Sequence, residues 1–440
     1  MSRLTLRILT LTTIWYEMSF INRIMGVRLD RLFVGLFVGA TVCLNSCSAI
    51  STLKGFSGIC FPLAVLACVA LLFLPDREGD KSALMVGVLA FSVPPVFSAL
   101  ANPGYSNITN TISLLAVVFL AYLCARKEDP ESLCGVFVSV MCVTSVFSLA
   151  LWVVLNIVGI DLPLPVLENV NGVHYKTIII ASQFAETYIE GNNSMGFFWE
   201  SGVFASYLLL AIAVEFMLQS KVSKLRLSLL IATLLTTGST AGILLLPLAL
   251  SVGLLKRGGK VRIAISLSLL IVFIVVLVNF SVIIAELAKI NPSLFSKLTD
   301  ADAVTRLTRL QSPSICWDLF VQSPALGYGY GGALDVYSSY VASNSTVDSL
   351  TTTSFFQLAA FGILGFAMWL VTAWSVFATR RLPATAAFVL LVMLVIIINK
   401  EPHTASALTY TLIFAFLSFG EGLTGLISGS KHEGANEKQA

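Results

Sequence analysis

The chain has 440 residues, of which 57% are hydrophobic and only 12% charged, where soluble globular proteins carry roughly 25% charged residues. With a mean hydropathy of +0.89, it has too few charges to coat soluble domains, which excludes a soluble enzyme, a nucleic-acid binder and a disulfide scaffold. The net charge of +3 says little, because in a membrane protein the side on which each charge falls matters more than the sum.

Residues 1–31 read as a cytoplasmic or interfacial N-terminal segment, and its first 24 residues, with Arg3, Arg7 and Glu17 among their charges, are too polar for a comfortable span. Leu4, Ile8, Leu11, Trp15 and Met18 recur at helical spacing, which predicts an interfacial amphipathic helix over the first 24 residues. A start at Met18 or Met25 is the alternative. A spanning helix needs about 20 apolar residues to cross the ~30 Å hydrocarbon core. Such runs follow at 32–52, 56–74, 82–101, 107–125, 133–158, 195–219, 262–285, 354–376, 383–399 and 404–424. Residues 425–440 are polar and read as a disordered cytoplasmic tail.

Between 227 and 255 the pattern breaks. Two short apolar runs, 227–237 and 240–255, flank Thr237-Gly238-Ser239-Thr240, and glycine and hydroxyl residues interrupt helices. Lys221, Lys224 and Arg226 precede the break; Lys256, Arg257, Lys260 and Arg262 follow it. Cytoplasmic loops collect Lys and Arg. A hairpin of two short helices keeps both clusters on that side, whereas one straight span would export one of them. The fold class is therefore all-α and polytopic, with about twelve spans and both termini cytoplasmic. In this arrangement 20 of the 27 basic residues lie inside. Lys54, Lys176, Lys289, Lys297, Arg306, Arg309 and Lys400 lie outside.

Seven of the eight cysteines fall in or beside apolar runs and read as small buried hydrophobes. Cys316 alone lies in a long polar segment, where no partner for a disulfide or metal site is evident.

Two external segments, 161–193 and 286–349, are too long for simple connectors, and loops of that length are usually functional or disordered. Their aromatic and apolar content predicts partly ordered caps. The second holds Arg306 and Arg309, whose i, i+3 spacing places them on one helix face. Two guanidinium forks there suit bidentate recognition of phosphate or diphosphate. Solvated surface charges or lipid-headgroup anchors are the alternative. Farther on, Pro324 to Gly332 contains Tyr328 and four glycines, either an irregular stretch in close packing or a flexible turn.

The first external segment holds His174, Lys176, Glu186, Glu190 and Asn193, then Gly196-Phe-Phe-Trp-Glu200-Ser-Gly202. Glu200 falls just inside the outer end of a span, where a carboxylate is costly unless paired. Glu215, at the other end of that span, reads as reaching the inner interface. His403, beside Lys400 and Glu401 in a short external turn, either reaches the same region or is solvated.

The stretch Gly196-Phe-Phe-Trp-Glu200-Ser-Gly202-Val-Phe-Ala205 resembles the Gly-x-Phe-Trp-Glu-Pro-Gly-x-Phe-Ala stretch of bacterial O-antigen and exopolysaccharide polymerases. The break at Thr237–Thr240 resembles the Thr-x-Ser-Arg break of the O-antigen polymerase/ligase superfamily. Arg306 through Trp317 to Pro324-Ala-Leu-Gly327-Tyr-Gly329 resembles its arginine-then-Pro-Leu-x-Gly-x-Gly stretch. Leu358-Ala-Ala-Phe-Gly362-Ile-Leu-Gly365 resembles its closing Gly-Ile-x-Gly helix. The order, spacing and twelve-span plan are similar over about residues 30–420.

There are departures. The ligases carry a His eleven residues before the first glycine of the closing motif; here that position is Thr351. An Arg often found three residues before the glycine of the Phe-Trp-Glu stretch is Asn193 here, and the Arg after Ser239 is Thr240. The absent His favours a polymerase over a ligase. The resemblance implies a fold like that of the multi-pass lipid-dependent glycosyltransferases (GT-C-like) in the bacterial inner membrane. It implies periplasmic glycosyl transfer on undecaprenyl-diphosphate-linked glycans, with no metal and no other cofactor. It makes Arg306 and Arg309, helped by Lys176, the diphosphate-binding cations. Glu200 is the first candidate for the general base and His174 the second, with Asn193, His403 and Tyr328 as secondary positions. A chain-length regulator and a flippase are the implied partners. The competing class is a transporter or flippase, because broken helices also occur there. Against that class, the polar residues gather in the external loops, not at the midplane.

Overall fold

The computed structural model describes residues 29–53, 56, 58–78, 81–160, 162–169, 173–185, 193–219, 222–279, 282, 283, 286, 289, 304–343 and 350–420; the side chains at 29–31, 277 and 304–310 fall outside that description. The expected amphipathic helix at 1–24, Glu186, Glu190 and the tail 425–440 also lie outside it. In chain order the helices are α1 Leu29–Leu44, α2 Cys60–Leu72, α3 Ser82–Ala101, α4 Tyr105–Lys127, α5 Pro130–Trp152, α6 Ser201–Leu218, α7 Lys224–Thr236, α8 Thr240–Arg257 and α9 Lys260–Val278. Then come α10 Val304–Gln322, α11 Tyr330–Ser343, α12 Thr353–Phe361, α13 Gly365–Ala378, α14 Ala384–Lys400 and α15 Ala407–Phe419. Three strands, β1 Val166–Glu168, β2 His174–Thr177 and β3 Ser182–Phe184, lie between α5 and α6.

Six described helices are long and apolar enough to cross a membrane: Ser82–Ala101, Tyr105–Lys127, Pro130–Val158, Ser201–Leu218, Thr240–Arg257 and Thr353–Ala378. Four shorter apolar helices accompany them: Leu32–Leu44, Cys60–Leu72, Ala384–Lys400 and Ala407–Phe419. The chain is a multi-pass helical membrane protein. Helix α6 is apolar all round and buried from Ser201 to Met217, as a helix at the centre of a bundle must be. It packs against α5, α7 and α8, while α8 also contacts α9 and α14. Peripheral helices turn apolar side chains outward instead, as with Leu36 on α1, Leu66 on α2 and Ile271 on α9, a surface suited to lipid.

The break at 237–240 is a hairpin turn. The Ser239 hydroxyl accepts a hydrogen bond from the Gly242 N–H at 3.2 Å and so caps α8. At the turn, the Ser194 N–H donates to the Thr236 carbonyl at 3.0 Å, just before α6 begins. At the far end, Arg226 lies 3.6 Å from Glu215, and Lys256 Nζ donates to the Phe216 carbonyl at 2.9 Å. Both basic clusters thus meet the C-terminal end of α6, the arrangement that the charge pattern required. Glu215 is 1% exposed, so it is sealed beneath Arg226 and does not protrude to the interface. The same basic end carries Asp76, which bonds Arg126, lies 2.7 Å from Lys127 and 3.2 Å from Lys81. The Arg126 guanidinium first, and the Lys127 ammonium second, hold the Asp76 carboxyl well below the usual carboxylate range.

The opposite end carries the expected caps, with more regular structure than loops imply. Residues 304–343 form α10 and α11. Ile315, Cys316 and Leu319 make a buried stripe on α10, which packs on α12. Cys316, expected in a polar loop, is therefore a core residue, and burial pushes its thiol up to about 12. The strands form an antiparallel meander in which Val166 pairs with Lys176 and Tyr175 with Phe184. The apolar pattern did not announce this sheet within the all-α expectation. Tyr175 on β2 packs with Leu53 and Met195, which ties the meander to the segment after α1 and to the approach to α6.

Two glycine motifs far apart in sequence lock together at this end. The Tyr328 and Gly329 N–H groups donate to the carbonyls of Ala359 and Ala360 at 3.1 and 2.9 Å, and the Ile363 N–H donates to the Pro324 carbonyl at 2.8 Å. Gly327 and Gly362 sit at φ +65° and +62°, the left-handed region that glycine enters without a Cβ penalty. A Cβ on Gly362 would stand 2.5 Å from the Ala325 carbonyl. The glycines at 327 and 362 therefore permit one backbone to lie on the other.

Candidate functional site

The segment Gly196–Gly202 enters α6 through stacked rings. Phe198 stacks on Tyr207 with centroids 4.9 Å apart, and Tyr207 meets His403 edge-on at 5.4 Å. The Tyr207 hydroxyl lies 2.5 Å from Ser406 Oγ, 2.8 Å from Thr409 Oγ1 and 3.3 Å from His403 Nδ1. The His403 N–H donates to Thr353 Oγ1 at 2.7 Å, and Thr353 Oγ1 donates to the Glu401 carbonyl at 3.2 Å. These bonds fix the turn 401–406 against α6 and the start of α12. His403 is 2% exposed, and burial first, then the nearby Lys400 charge, pushes its imidazole down to about 3. It is a neutral, buried residue and not a solvated loop histidine; it is packed on Tyr207 and does not line the adjacent cavity.

Lys400 and Glu401 are buried too, 3.4 Å apart. Lys400 Nζ donates to the Gly202 carbonyl at 3.1 Å and to Ser239 Oγ at 3.3 Å. One ammonium therefore joins the Phe-Phe-Trp-Glu stretch, the hairpin turn and the end of α14. A Cβ on Gly202 would meet the Glu401 carboxylate at 2.5 Å, so this approach needs glycine there. The Asn193 side chain lies against the same hairpin turn at Gly238.

Beside this cluster is a cavity of about 400 Å³. Its walls bring together Cys47 after α1, Trp199, Tyr330 of α11, Leu350, Pro402 and Thr404. Trp199, from the Gly196–Ala205 stretch, and Tyr330, the residue after Gly329, both line the cavity, while the hairpin turn is bound to Lys400, two residues before the lining residue Pro402. The Phe-Phe-Trp-Glu residue Glu200 follows Trp199 directly, is half-buried, and occupies the N-cap position of α6. A carboxylate at a helix N-terminus sits in a favourable field. Tyr328 is half-buried, and its hydroxyl donates to Gln322 Oε1 at 3.2 Å.

His174 and Lys176 sit on β2, half-buried, on the strand face opposite Tyr175; neither lines the cavity. Arg306 and Arg309 lie in the first turns of α10, and their side chains fall outside the described residues. Position 309 is one turn before Ser312, whose hydroxyl accepts a hydrogen bond from the Thr351 N–H at 3.2 Å. Thr351, at the position where the ligases carry His, is 7% exposed. Sequence reasoning passed over Lys400 and Thr404 as site-forming residues. The available signal was a Lys-Glu pair closing an apolar run, a place where charges must be buried together or solvated.

The fold and site define a multi-pass helical membrane protein with an aromatic-lined cavity at the end opposite its basic clusters. Residues 225–370 match the family model described as O-antigen ligase. This match, to 146 of the 440 residues, supports assigning the chain to the O-antigen polymerase/ligase superfamily. No curated protein matches the chain.

Proposed function

We propose that this protein polymerises undecaprenyl-diphosphate-linked oligosaccharide repeat units into O-antigen or a related surface polysaccharide. It works at the periplasmic face of the bacterial inner membrane, with twelve passes and both termini in the cytoplasm. The observation that carries this reading is the convergence of Trp199, Tyr330 and the 402–405 turn on one cavity, in a chain whose 225–370 segment matches the superfamily. In the reaction, a hydroxyl oxygen of the incoming unit forms a bond to the anomeric carbon of the growing chain. The anomeric carbon–oxygen bond to the diphosphate breaks, and its electron pair leaves with the diphosphate. Arg306 and Arg309, with Lys176, stabilise that developing charge. Glu200 accepts the hydroxyl proton, with His174 as the second candidate. A chain-length regulator and a flippase are its working partners.

A ligase is the second reading, because the matching family model is described as O-antigen ligase. Against it stands Thr351 where those enzymes carry His. Replacing Arg306 or Arg309 by Ala, with Lys as the charge-retaining control, tests the assignment. The expected result is loss of long-chain polysaccharide while lipid A core bearing one repeat unit persists. Loss of all surface repeats would support the ligase or a flippase. Normal chain length in both variants would overturn the arginine assignment.

A further inference from the structure

The cavity beside the turn 401–406 has no role yet beyond gathering the motif segments. None of the described residues that line it is charged. A diphosphate placed there would lose hydration without a counter-charge, at a cost of several kcal/mol or more. Its occupant is therefore an uncharged group. Two aromatic residues, Trp199 and Tyr330, contribute rings from different segments, and both are half-buried, so part of each remains open. Such side chains offer an apolar face together with a polar edge.

The third wall supplies a more specific sign. Thr404 is 3% exposed and lines the cavity, and its hydroxyl has no hydrogen-bond partner among the described residues. A buried hydroxyl left unsatisfied costs about 1–3 kcal/mol; its oxygen is covered in this rotamer, and a χ1 rotation toward the cavity would let a ligand hydroxyl satisfy it. Asn45 and Ser51 also line the cavity. The Asn45 amide already donates to the carbonyls of Thr41 and Cys60 at 3.0 and 3.2 Å, which holds the side chain in place.

We propose that this cavity is a sugar subsite. It takes one uncharged pyranose ring of the lipid-linked glycan, packed between Trp199 and Tyr330 and hydrogen-bonded to the Thr404 hydroxyl. An isoprenoid chain, the other uncharged part of such a substrate, has no use for the polar groups of Thr404, Asn45 and Ser51. The proposal rests on the glycosyl-transfer reading and adds where a sugar is held, apart from the arginine-bearing helix. Neither Trp199 nor Thr404 takes part in bond making. They are positioning residues that act through the sugar they hold.

The test uses the full-length protein in lipid nanodiscs. The probe is the repeat-unit glycan released by mild acid from the source cell's lipid-linked pool, which carries neither lipid nor diphosphate; undecaprenol is the rival probe. Binding is read by saturation-transfer NMR. Thr404→Val should weaken glycan binding about threefold to tenfold, the loss of one hydrogen bond. Ala405→Phe, at an exposed cavity-wall position, should block it by filling the space without removing a core contact. Undecaprenol should not displace the glycan. No glycan binding to the wild type, equal binding in both variants, or displacement by undecaprenol overturns the subsite. The function is judged separately, by the surface polysaccharide of a strain lacking the protein. If long chains persist there, the polymerase reading fails whatever the glycan titration shows.

Discussion

The Lys400 ammonium donates a 3.1 Å hydrogen bond to the Gly202 carbonyl and stands 3.4 Å from the Glu401 carboxylate. Two side chains at the end of α14 thereby hold the start of α6. Removing one charge of a buried pair costs about 3–5 kcal/mol, whereas replacing both by neutral groups of similar shape is far milder. Lys400→Met should therefore lower the melting temperature more than Lys400→Met combined with Glu401→Gln. Thermal unfolding in detergent measures the difference. Equal losses in the single and double variants would show that the two charges are not coupled.

The docking of the Gly327 segment on Gly362 makes a second prediction. Gly362→Ala puts a Cβ 2.5 Å from the Ala325 carbonyl and forces a φ of +62° on a non-glycine residue. Strain at such a position costs about 1–3 kcal/mol, and the clash falls on backbone that cannot rotate away. The expected outcome is a lower yield of folded protein and loss of long-chain polysaccharide. Gly58→Ala, at a site with open space around the new methyl, should leave both unchanged.

His403 gives the protein an acid sensitivity of definite sign. Its imidazole is held at about 3 in the folded protein, below the ordinary value of about 6.5. Between those values the unfolded chain binds a proton that the folded protein does not, so stability falls as pH falls below about 6.5. The slope approaches about 1.4 kcal/mol per pH unit. The melting temperature of the wild type should drop from pH 7 to pH 5 by several degrees more than that of His403→Asn. Parallel curves would show that His403 is not the group responsible.

Much of this arrangement is readable before folding, and the reasons differ by element. The hairpin at 237–240 follows from local facts: a Thr-Gly-Ser-Thr break, arms too short for comfort, and basic clusters on both flanks. The meander at 166–184 does not. Its strands are three or four residues long, and Tyr175 is fixed by Leu53 and Met195, contacts that no local window contains. The burial of Lys400, Glu401 and His403 was likewise hidden. A short polar turn looks the same in sequence whether water or α6 lies above it. The motif order suggested that the Gly196–Ala205, Thr237–Thr240, Arg306–Gly329 and Leu358–Gly365 stretches belong to one function, and it did not single out Tyr330 or Thr404. The meeting of Trp199, Tyr330 and the last turn at one cavity depends on the backbone bonds between the Gly327 and Gly362 segments, which are long-range. The acid–base candidates remain scattered. Glu200 adjoins the cavity through Trp199, whereas His174 and Lys176 sit on β2, the central strand of the meander, and do not line the cavity.

Orientation provides the last prediction. Leu225, in the first turn of α7, is 81% exposed at the basic end. Ile179, between β2 and β3, is 66% exposed at the other. The described cysteines are buried or half-buried, so a new exposed thiol should dominate labelling. Lys and Arg collect on the cytoplasmic side, and 20 of the 27 basic residues fall on that side in the twelve-pass arrangement. Ile179→Cys should react with a membrane-impermeant maleimide in cells whose outer membrane has been made permeable. Leu225→Cys should react only after the inner membrane is also opened. The reverse pattern would place the cavity in the cytoplasm, where lipid-linked units are not yet exported, and would remove the periplasmic polymerase from consideration.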